Sequence, residues 1–412
     1  MVAVRPEEVR AMLWSFAYFF CLLAAYYILR PLRDEMGVAG GVRNLQWLFT
    51  ATFLVMLAAV PLYGALVARI ARRRFIPLVY HFFVLNLAIF WLLLTLEVER
   101  QTVARVFFVW ISVFVLFAVS VFWSFMADVW KSEQGKRLYG FIAAGGSAGA
   151  LAGPAITIGL AEAIGAVNLL VVAALLLEAA VLCARRLEVE EKASPAQQSA
   201  VGGGAIDGLL MVLRSPYVAG IMLWVALLSV AATFLYFEQA AIVAKASDDP
   251  AVRTRIFATV DLAVGVLTLA VQFLATGKII ARFGVGPALA LVPVVFMAGF
   301  AVLSVAPVLA VVIVFQALQR TANFAISNPA REVLFTVVAR DEKYKAKNVI
   351  DVVAVRGADA VGGWLITGLR ALSVEARGIA ITAIALAAAS VVLSVALGRA
   401  QERRAALPPA GT

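Results

Sequence analysis

The sequence predicts an all-α polytopic membrane protein with twelve transmembrane helices arranged as two six-helix halves. Composition is the first reason, because 63% of the 412 residues are hydrophobic and 15% are charged, whereas an average soluble domain is about 25% charged. The mean hydropathy of +0.96 indicates that lipid is the solvent for most of the chain. This composition excludes a soluble enzyme, a disordered chain and a collagen-like fibre.

The apolar residues recur in stretches of about 20 residues, the length that crosses a bilayer as a helix. In the first half of the chain we predict spans near residues 11–31, 44–68, 76–96, 104–130, 138–163 and 166–184. In the second half we predict spans near residues 216–244, 254–277, 286–306, 307–335, 347–371 and 377–399. The first span is too long for a removable signal peptide and is followed by no small-residue cleavage site.

The longest polar stretch separates the two halves. It reads RRLEVEEKASPAQQSAVGGGAIDG at residues 185–208, a composition typical of a flexible linker. We therefore expect an N-terminal half at 1–184, a cytoplasmic linker at 185–215, and a C-terminal half with a short cytoplasmic tail at 216–412. Most basic residues outside the spans lie on the side that holds both termini, which predicts cytoplasmic termini in a bacterial inner membrane.

Neither a metal centre nor a catalytic site is expected. Cys21, Cys183 and His81 each lie in an apolar run, and side chains of these types are too few to build a metal site. The sequence has no GxxxxGK[ST] phosphate-binding motif. Its basic residues form short clusters between apolar stretches, which argues against nucleic acid as a partner. We expect a monomer in the lipid bilayer that is not an enzyme and uses no cofactor.

A short repeat supports the division into halves. Gly64 begins GALVARIARRR after the second span, and Gly277 begins GKIIARFG after the eighth. Both segments place an arginine, Arg69 or Arg282, at the same distance from the glycine. Two six-span halves with a basic loop after their second helix resemble the major facilitator superfamily. That resemblance implies a major facilitator-type fold in which these four residues form a latch at the cytoplasmic face.

Charged residues inside the predicted spans are candidates for function, because a charge at membrane depth costs roughly 2.5–3.5 kcal/mol or more. The candidates for substrate binding are Arg30, Arg33, Glu238, Arg320, Arg356 and Asp359. The candidates for coupling or gating are Asp34, Asp128, Asp261, Arg331, Glu332 and Asp351. Structural alternatives stay open: a solvated helix end after the first span, an Arg331–Glu332 ion pair, and an Arg356–Asp359 pair three residues apart.

Glycine spacing predicts close helix packing. Gly145, Gly149 and Gly153 follow one another at four-residue steps in the fifth span and would form a smooth face. The eleventh span, at the matching position of the second half, is also rich in glycine. Regular α-helical geometry would place its Asp351, Val355, Ala358 and Gly362 on one face.

Three segments resemble the nucleotide transporters of plastids and intracellular bacteria, the ATP/ADP translocases. YYILRPLRDEMGV at 26–38 is similar to that family's ILRDTKD segment. SNPAREVLFTVVARDEKYKAK at 327–347 is similar to its FDPTKEMAYIPLDEELKVK, and VIDVVAVRGADAVGG at 349–363 is similar to AIDVVGGRFGKSGG. A weaker similarity links VFWSFMADVW at 121–130 to LFWGFAN.

The resemblance also implies which charges bind nucleotide. A family lysine falls on Arg33 and a family glutamate on Glu238, so both charges are kept. A second family glutamate falls near Ile111 or Ser112, where the acid is lost. A second family lysine falls on Asp359, where the charge is reversed.

We therefore expect a secondary transporter that moves an anionic solute, a nucleotide or a related phosphorylated compound, by exchange and alternating access. Phosphate groups require several basic hydrogen-bond donors, which the candidate arginines supply. Two alternatives stay open. One is a proton-coupled transporter of another small solute, with Glu238 or Asp359 as the proton carrier. The other is a non-transporting membrane sensor that retains the fold.

Overall fold

The computed structural model describes residues 5–69, 72–130, 132–187, 212, 214–338, 342–343, 346–347 and 349–406. Within these residues every regular element is a helix, which confirms the predicted all-α class. Most of the predicted linker lies outside the described residues.

The first sequence half contributes six long helices. They are α1 (Pro6–Ala39), α2 (Leu45–Arg69), α3 (Arg72–Thr95), α4 (Arg100–Val129), α5 (Ser132–Ile164) and α6 (Leu169–Arg185). Short 3₁₀ turns at Val42–Asn44 and Ala166–Asn168 precede α2 and α6. Helix α1 extends beyond both ends of the predicted first span, and the acidic residues in its first turn favour its N-terminal end.

The second sequence half is more interrupted. Its helices are α7 (Pro216–Ala246), α8 (Pro250–Leu274), α9 (Thr276–Phe283), α10 (Val285–Val305), α11 (Leu309–Ala322), α12 (Asn328–Leu334), α13 (Val355–Ala371) and α14 (Ala376–Ala405). A π-helical segment, Asn323–Ser327, joins α11 to α12, and a second one, Val349–Ala354, precedes α13. A 3₁₀ turn, Phe335–Val337, follows α12.

Eleven helical stretches in the described part of the chain are long and apolar enough to cross a membrane. They correspond to all the predicted spans except the eleventh. That position is occupied by the second π-helical segment and by α13, which has only 17 residues. Its charged residues lower the local hydropathy below that of its neighbours, so its place in the bilayer depends on the helices around it.

The contacts divide the chain into two compact units, and each unit takes in a segment of the other sequence half. Unit 1 consists of Met1–Val42, Leu54–Pro195 and Ser247–Gly265. Unit 2 consists of Arg43–Phe53, Ala196–Ala246 and Val266–Thr412. The first part of α2 is therefore assigned to unit 2 and the first part of α8 to unit 1. The six-helix halves at 1–184 and 216–412 remain a division by chain order.

Unit 1 is organised around α1, which packs most extensively on α5. The glycines predicted to form a smooth face lie at this contact. A Cβ atom at Gly145, Gly149 or Gly153 would collide with a backbone oxygen of Phe16, Phe20 or Ala24, respectively. Close backbone approach is therefore the reason for these glycines.

Unit 2 is built on two helix pairs, α10 with α14 and α7 with α13. The indole nitrogen of buried Trp224 donates a 2.8 Å hydrogen bond to Ser394 Oγ, which connects α7 to α14. Gly362 of α13 lies against Val230 and Thr233 of α7, again at a close helix contact. Both π-helical segments belong to this unit, and π segments inside helices are frequent at functional sites.

Candidate functional site

The second half of α1 carries a cluster of charges that the fold buries. Asp34 is 8% exposed and Glu35 is fully buried. The alternative of a solvated helix end is therefore wrong for these two carboxylates. The helix continues through Pro31 to Ala39 and keeps the cluster inside unit 1. Buried carboxylates need basic partners to offset their desolvation, and three arginines provide them.

Arg30 and Asp261 meet in this cluster. Arg30 Nη1 lies 3.2 Å from Asp261 Oδ1, and the Asp261 side chain is only 1% exposed. Both residues are candidates from the sequence because they lie within predicted spans. The structure brings them together although 231 positions of the chain separate them. Helix α8 supplies Asp261 because its first part packs within unit 1.

Glu35 has the tightest partner in the cluster. Arg253 Nη2 donates a 2.8 Å hydrogen bond to Glu35 Oε1, where the Glu35 side chain is fully buried and the Arg253 side chain is mostly buried. Arg253 is not among the residues predicted from the sequence, since it lies just before the predicted eighth span and therefore outside the predicted membrane region. The sequence does place two arginines, Arg253 and Arg255, at the start of that span, and either could pair with a buried carboxylate. Arg255 instead pairs with exposed Glu162 at 2.7 Å.

Arg33 has a longer contact with its carboxylate partner than Arg30 or Arg253 has. Its Nη1 lies 3.5 Å from Asp34 Oδ1, a long contact between neighbours in the chain. Its guanidinium carbon lies 4.1 Å from the centre of the Phe108 ring, an arrangement typical of a cation–π contact. Its Nε is buried and has no hydrogen-bond partner. Arg33 therefore keeps donors available for an anion.

In unit 2 Glu238 pairs with an arginine that the sequence did not single out. Arg370 Nη2 donates a 2.9 Å hydrogen bond to Glu238 Oε1. The contact connects α7 to the last turn of α13, and both side chains are partly exposed. The sequence placed Arg370 near the end of a span, where basic residues commonly reach the headgroups. Its partner on α7 could only be found from the helix packing.

The predicted Arg356–Asp359 pair is confirmed. Arg356 Nη1 lies 3.3 Å from Asp359 Oδ2. Thr233 of α7 donates a 3.3 Å hydrogen bond to the other carboxylate oxygen of Asp359. The negative charge at Asp359 is therefore both neutralised and fixed in position.

Arg331 and Glu332 do not pair with each other, and each forms an ion pair with a different residue. Arg331 Nη1 lies 2.9 Å from Asp351 Oδ1, and Lys347 Nζ lies 2.6 Å from Glu332 Oε2. The expected Arg331–Glu332 pair is wrong because consecutive side chains of a helix do not face each other. The sequence could not show that the segment around residue 350 returns alongside α12.

The expected common face of Asp351 and Gly362 is also wrong. Asp351 is exposed and faces Arg331, whereas Gly362 is buried against α7. The π-helical segment that contains Asp351 explains the difference, because its wider turn shifts the angular position of residues before α13.

The remaining candidates are more scattered. Arg320 is partly buried on α11, and Asp128 is exposed at the end of α4. Gly64 and Arg69 lie in α2, but their side chains fall outside the described residues.

The second copy of the predicted latch lies in α9. Gly277 and Arg282 are both exposed, and Arg282 lies 5.7 Å from the Phe283 ring centre. The latch role of both copies stays a prediction.

The sequence pattern of the Major Facilitator Superfamily matches residues 11–342, most of the chain. The chain belongs to the major facilitator superfamily. This membership and the apolar helices make the chain a multi-pass membrane protein of the secondary transporter class. The match is to the superfamily as a whole, and the narrower resemblance to ATP/ADP translocases stays a prediction. No curated protein matches the chain in sequence.

Solved structures of the superfamily share the fold of this member. The nucleoside transporter NupG matches with a TM-score of 0.65 and 14% identity, over 97% of this chain and 100% of NupG. A bacterial homologue of the human lysosomal transporter Spinster matches with a TM-score of 0.61 and 14% identity, over 98% of each chain. The POT family transporter PepTSo matches with a TM-score of 0.66 and 12% identity, over 97% of this chain and 99% of PepTSo.

Proposed function

We propose that this superfamily member exchanges an anionic solute, a nucleotide or a related phosphorylated compound, by alternating access. The observation that carries the proposal is the environment of the Arg33 guanidinium. A partly buried guanidinium that rests on an aromatic ring and has a buried Nε without a hydrogen-bond partner is suited to bind a phosphate or carboxylate group. The resemblance to nucleotide transporters supports the same residue, since it places a family lysine at Arg33.

Charge balance supports Arg33 over the other arginines as the first contact of the anion. Arg30 and Arg253 each face a buried carboxylate at 3.2 Å or less. An incoming anion would have to displace that carboxylate before it could use either arginine. Arg33 contacts the Asp34 carboxylate at 3.5 Å, and this long contact is easier to give up than the two shorter pairs.

In unit 2 we assign a secondary role in binding to Arg320 and Arg356. Arg356 already shares its charge with Asp359, so its net attraction for an anion is reduced. Glu238, paired with Arg370, would bind polar groups of the solute other than phosphate, because it can accept hydrogen bonds from them.

A second candidate function is proton-coupled transport, and the Arg30–Asp261 pair favours it. Asp261 is a buried carboxylate that pairs with Arg30. Protonation of Asp261 would remove its charge and release Arg30, which links proton binding to a change in the cluster. In this mechanism the carrier of the proton is Asp261 rather than Glu238 or Asp359.

We further propose that the protein is a monomer in a bacterial inner membrane, with both termini in the cytoplasm. The excess of basic residues on the side of the termini supports this orientation. Cysteine accessibility at either end of α14, measured in intact cells with an impermeant reagent, tests it.

The decisive experiment is uptake of radiolabelled ATP into proteoliposomes that contain the purified protein. Exchange predicts uptake only when the vesicles are loaded with ADP or another counter-substrate, with or without a pH gradient. Proton coupling predicts uptake into empty vesicles that depends on the pH gradient. Absence of uptake of any phosphorylated compound under both conditions would reject the proposed substrate class.

Arg33→Ala tests the assigned residue. Loss of a charge-assisted hydrogen bond in a buried site is worth about 1.5–3 kcal/mol, so we expect the substrate concentration for half-maximal uptake to rise at least tenfold. Arg33→Lys keeps the charge and should recover part of the loss. Arg186→Ala removes an exposed arginine after α6 and should leave uptake unchanged. Unchanged affinity in Arg33→Ala would remove Arg33 from the binding site.

A further inference from the structure

An apolar groove lies on the surface of unit 2, between the first part of α2 and α13. Its volume is about 570 Å³, within the range of pockets that hold small ligands. The lining residues are Thr50, Phe53, Val353, Gly357, Ala360, Val361, Trp364 and Leu365. Val361, Trp364 and Leu365 are exposed although they are large and apolar. In a membrane protein such residues face lipid, so the groove opens to the bilayer.

The missing side chain of Gly357 helps to form the groove. A Cβ atom at this position would reach only an ordinary contact with the Phe53 ring, at 3.7 Å. The helices therefore leave room here without a collision, unlike the tight glycine contacts of α5. Thr50 and Trp364 close the groove at one end, where the indole nitrogen of Trp364 donates a 3.0 Å hydrogen bond to Thr50 Oγ1.

An aromatic pair and a basic residue lie beyond that end. The rings of Trp47 and Trp364 meet edge to face with their centres 4.7 Å apart, and both side chains are exposed. Tryptophan is enriched at the level of the lipid headgroups. One turn earlier, Arg43 is exposed on the 3₁₀ turn that precedes α2, and no described carboxylate pairs with it.

The spacing of these features matches one leaflet of a bilayer. Arg43 and Phe53 are ten positions apart, and a helix rises about 1.5 Å per residue, so the distance along the axis is about 15 Å. Half the hydrocarbon core of a bilayer is also about 15 Å thick. The basic residue, the tryptophan pair and the apolar groove thus follow the order of phosphate, interface and acyl chain in a phospholipid.

We propose that this groove is a binding site for an acidic phospholipid of the leaflet in which α2 begins. The phosphate would accept hydrogen bonds from Arg43, and one acyl chain would lie in the groove along Phe53, Gly357 and Val361. Charge complementarity favours an acidic lipid, because Arg43 is exposed and forms no ion pair with a carboxylate in the part of the chain that the structure describes. The proposal is independent of the transported solute.

Lipid binding to the purified, delipidated full-length protein tests the site. Phosphatidylglycerol, phosphatidylcholine and inorganic phosphate are titrated separately, with native mass spectrometry and the thermal unfolding midpoint as readouts. We expect wild-type protein to retain phosphatidylglycerol and to be stabilised by it. Inorganic phosphate should have no effect, and stabilisation by phosphate alone would show that the site binds free anions instead of lipid.

Arg43→Gln tests the headgroup contact. A basic residue near anionic lipid contributes about 1 kcal/mol, which corresponds to about fivefold in affinity. We therefore expect phosphatidylglycerol to bind about fivefold more weakly and its advantage over phosphatidylcholine to disappear. Arg403→Gln, at an exposed arginine near the end of α14, is the matched control. Equal binding by the two variants would overturn the role of Arg43.

Gly357→Leu tests the groove, because the new side chain would fill it and should abolish retention of both lipids. Gly368→Leu is the control on the same helix, since a Cβ atom there meets nothing within 4 Å. Val361→Phe fills the groove from its exposed side and replaces Gly357→Leu if that variant does not fold. Lipid retention equal to the control in a folded groove variant would refute the site.

Discussion

The charge cluster of α1 in unit 1 and the charged segments of unit 2 differ in how far the fold buries their ion pairs. In unit 1, Glu35 and Arg253 form a pair whose side chains are 0% and 11% exposed. In unit 2, Arg331 and Asp351 form a pair of similar length, but the Asp351 side chain is 46% exposed. The first pair is part of a packed interior, whereas the second can exchange its partner for water.

The two units also differ in the continuity of their helices. Helix α1 is continuous over 34 residues and is held against α5 by glycine contacts. The two π-helical segments of unit 2 interrupt the helices that carry Arg320, Arg331 and Asp351. Unit 1 therefore surrounds its buried ion pairs with close helix packing, whereas unit 2 places wide helical turns next to exposed ion pairs. We infer that the charged side chains of unit 2 can change position and partner more easily.

The largest expected effect comes from the buried pair. Glu35→Ala leaves the charge of Arg253 buried without its partner, which typically costs about 3–5 kcal/mol. We expect the free energy of unfolding in detergent to fall by that amount, measured by denaturant titration monitored by tryptophan fluorescence. Glu162→Ala breaks the exposed Arg255–Glu162 pair and should cost less than about 1 kcal/mol. Equal losses in the two variants would show that burial of the pair is unimportant.

An intermediate effect is expected at the α1–α5 contact. In Gly149→Ala the added Cβ atom would collide with the backbone oxygen of Phe20, and overpacking of this kind costs about 1–3 kcal/mol. Gly159→Ala, on the same helix, meets no atom within 4 Å and should stabilise by about 0.5–1 kcal/mol, since alanine favours a helix over glycine. Thermal unfolding of both variants measures the difference. A stabilised Gly149→Ala variant would contradict the tight packing of unit 1.

The smallest effect is expected in unit 2. Asp351→Ala removes a half-exposed carboxylate, and Arg331 can then be solvated, so the loss should stay below about 1 kcal/mol. Glu332→Ala, which breaks the exposed pair with Lys347, provides the comparison within the same unit. Denaturant titration under the conditions used for Glu35→Ala gives both values. A loss at Asp351 as large as that at Glu35 would remove the contrast between the two units.

The helices themselves could be predicted because apolar length is a local property of the sequence. The predicted spans at 44–68 and 216–244 differ by at most two residues from Leu45–Arg69 and Pro216–Ala246. The division of the eleventh span into a π-helical segment and a short helix could not be predicted. A π-helical turn depends on packing and leaves no pattern in the hydropathy. The same local argument found the Arg356–Asp359 pair, whose members are one turn apart.

Partners that lie far apart in the chain required the tertiary structure. The sequence by itself determined that the chain is a membrane protein of this fold, that its spans carry costly charges, and that α5 has a face of glycines. It could not determine that Asp261 faces Arg30, that Arg253 faces Glu35, or that Glu238 faces Arg370. Hydropathy and helix period act over a few residues, whereas an ion pair depends on which helices the packing brings within about 4 Å of each other.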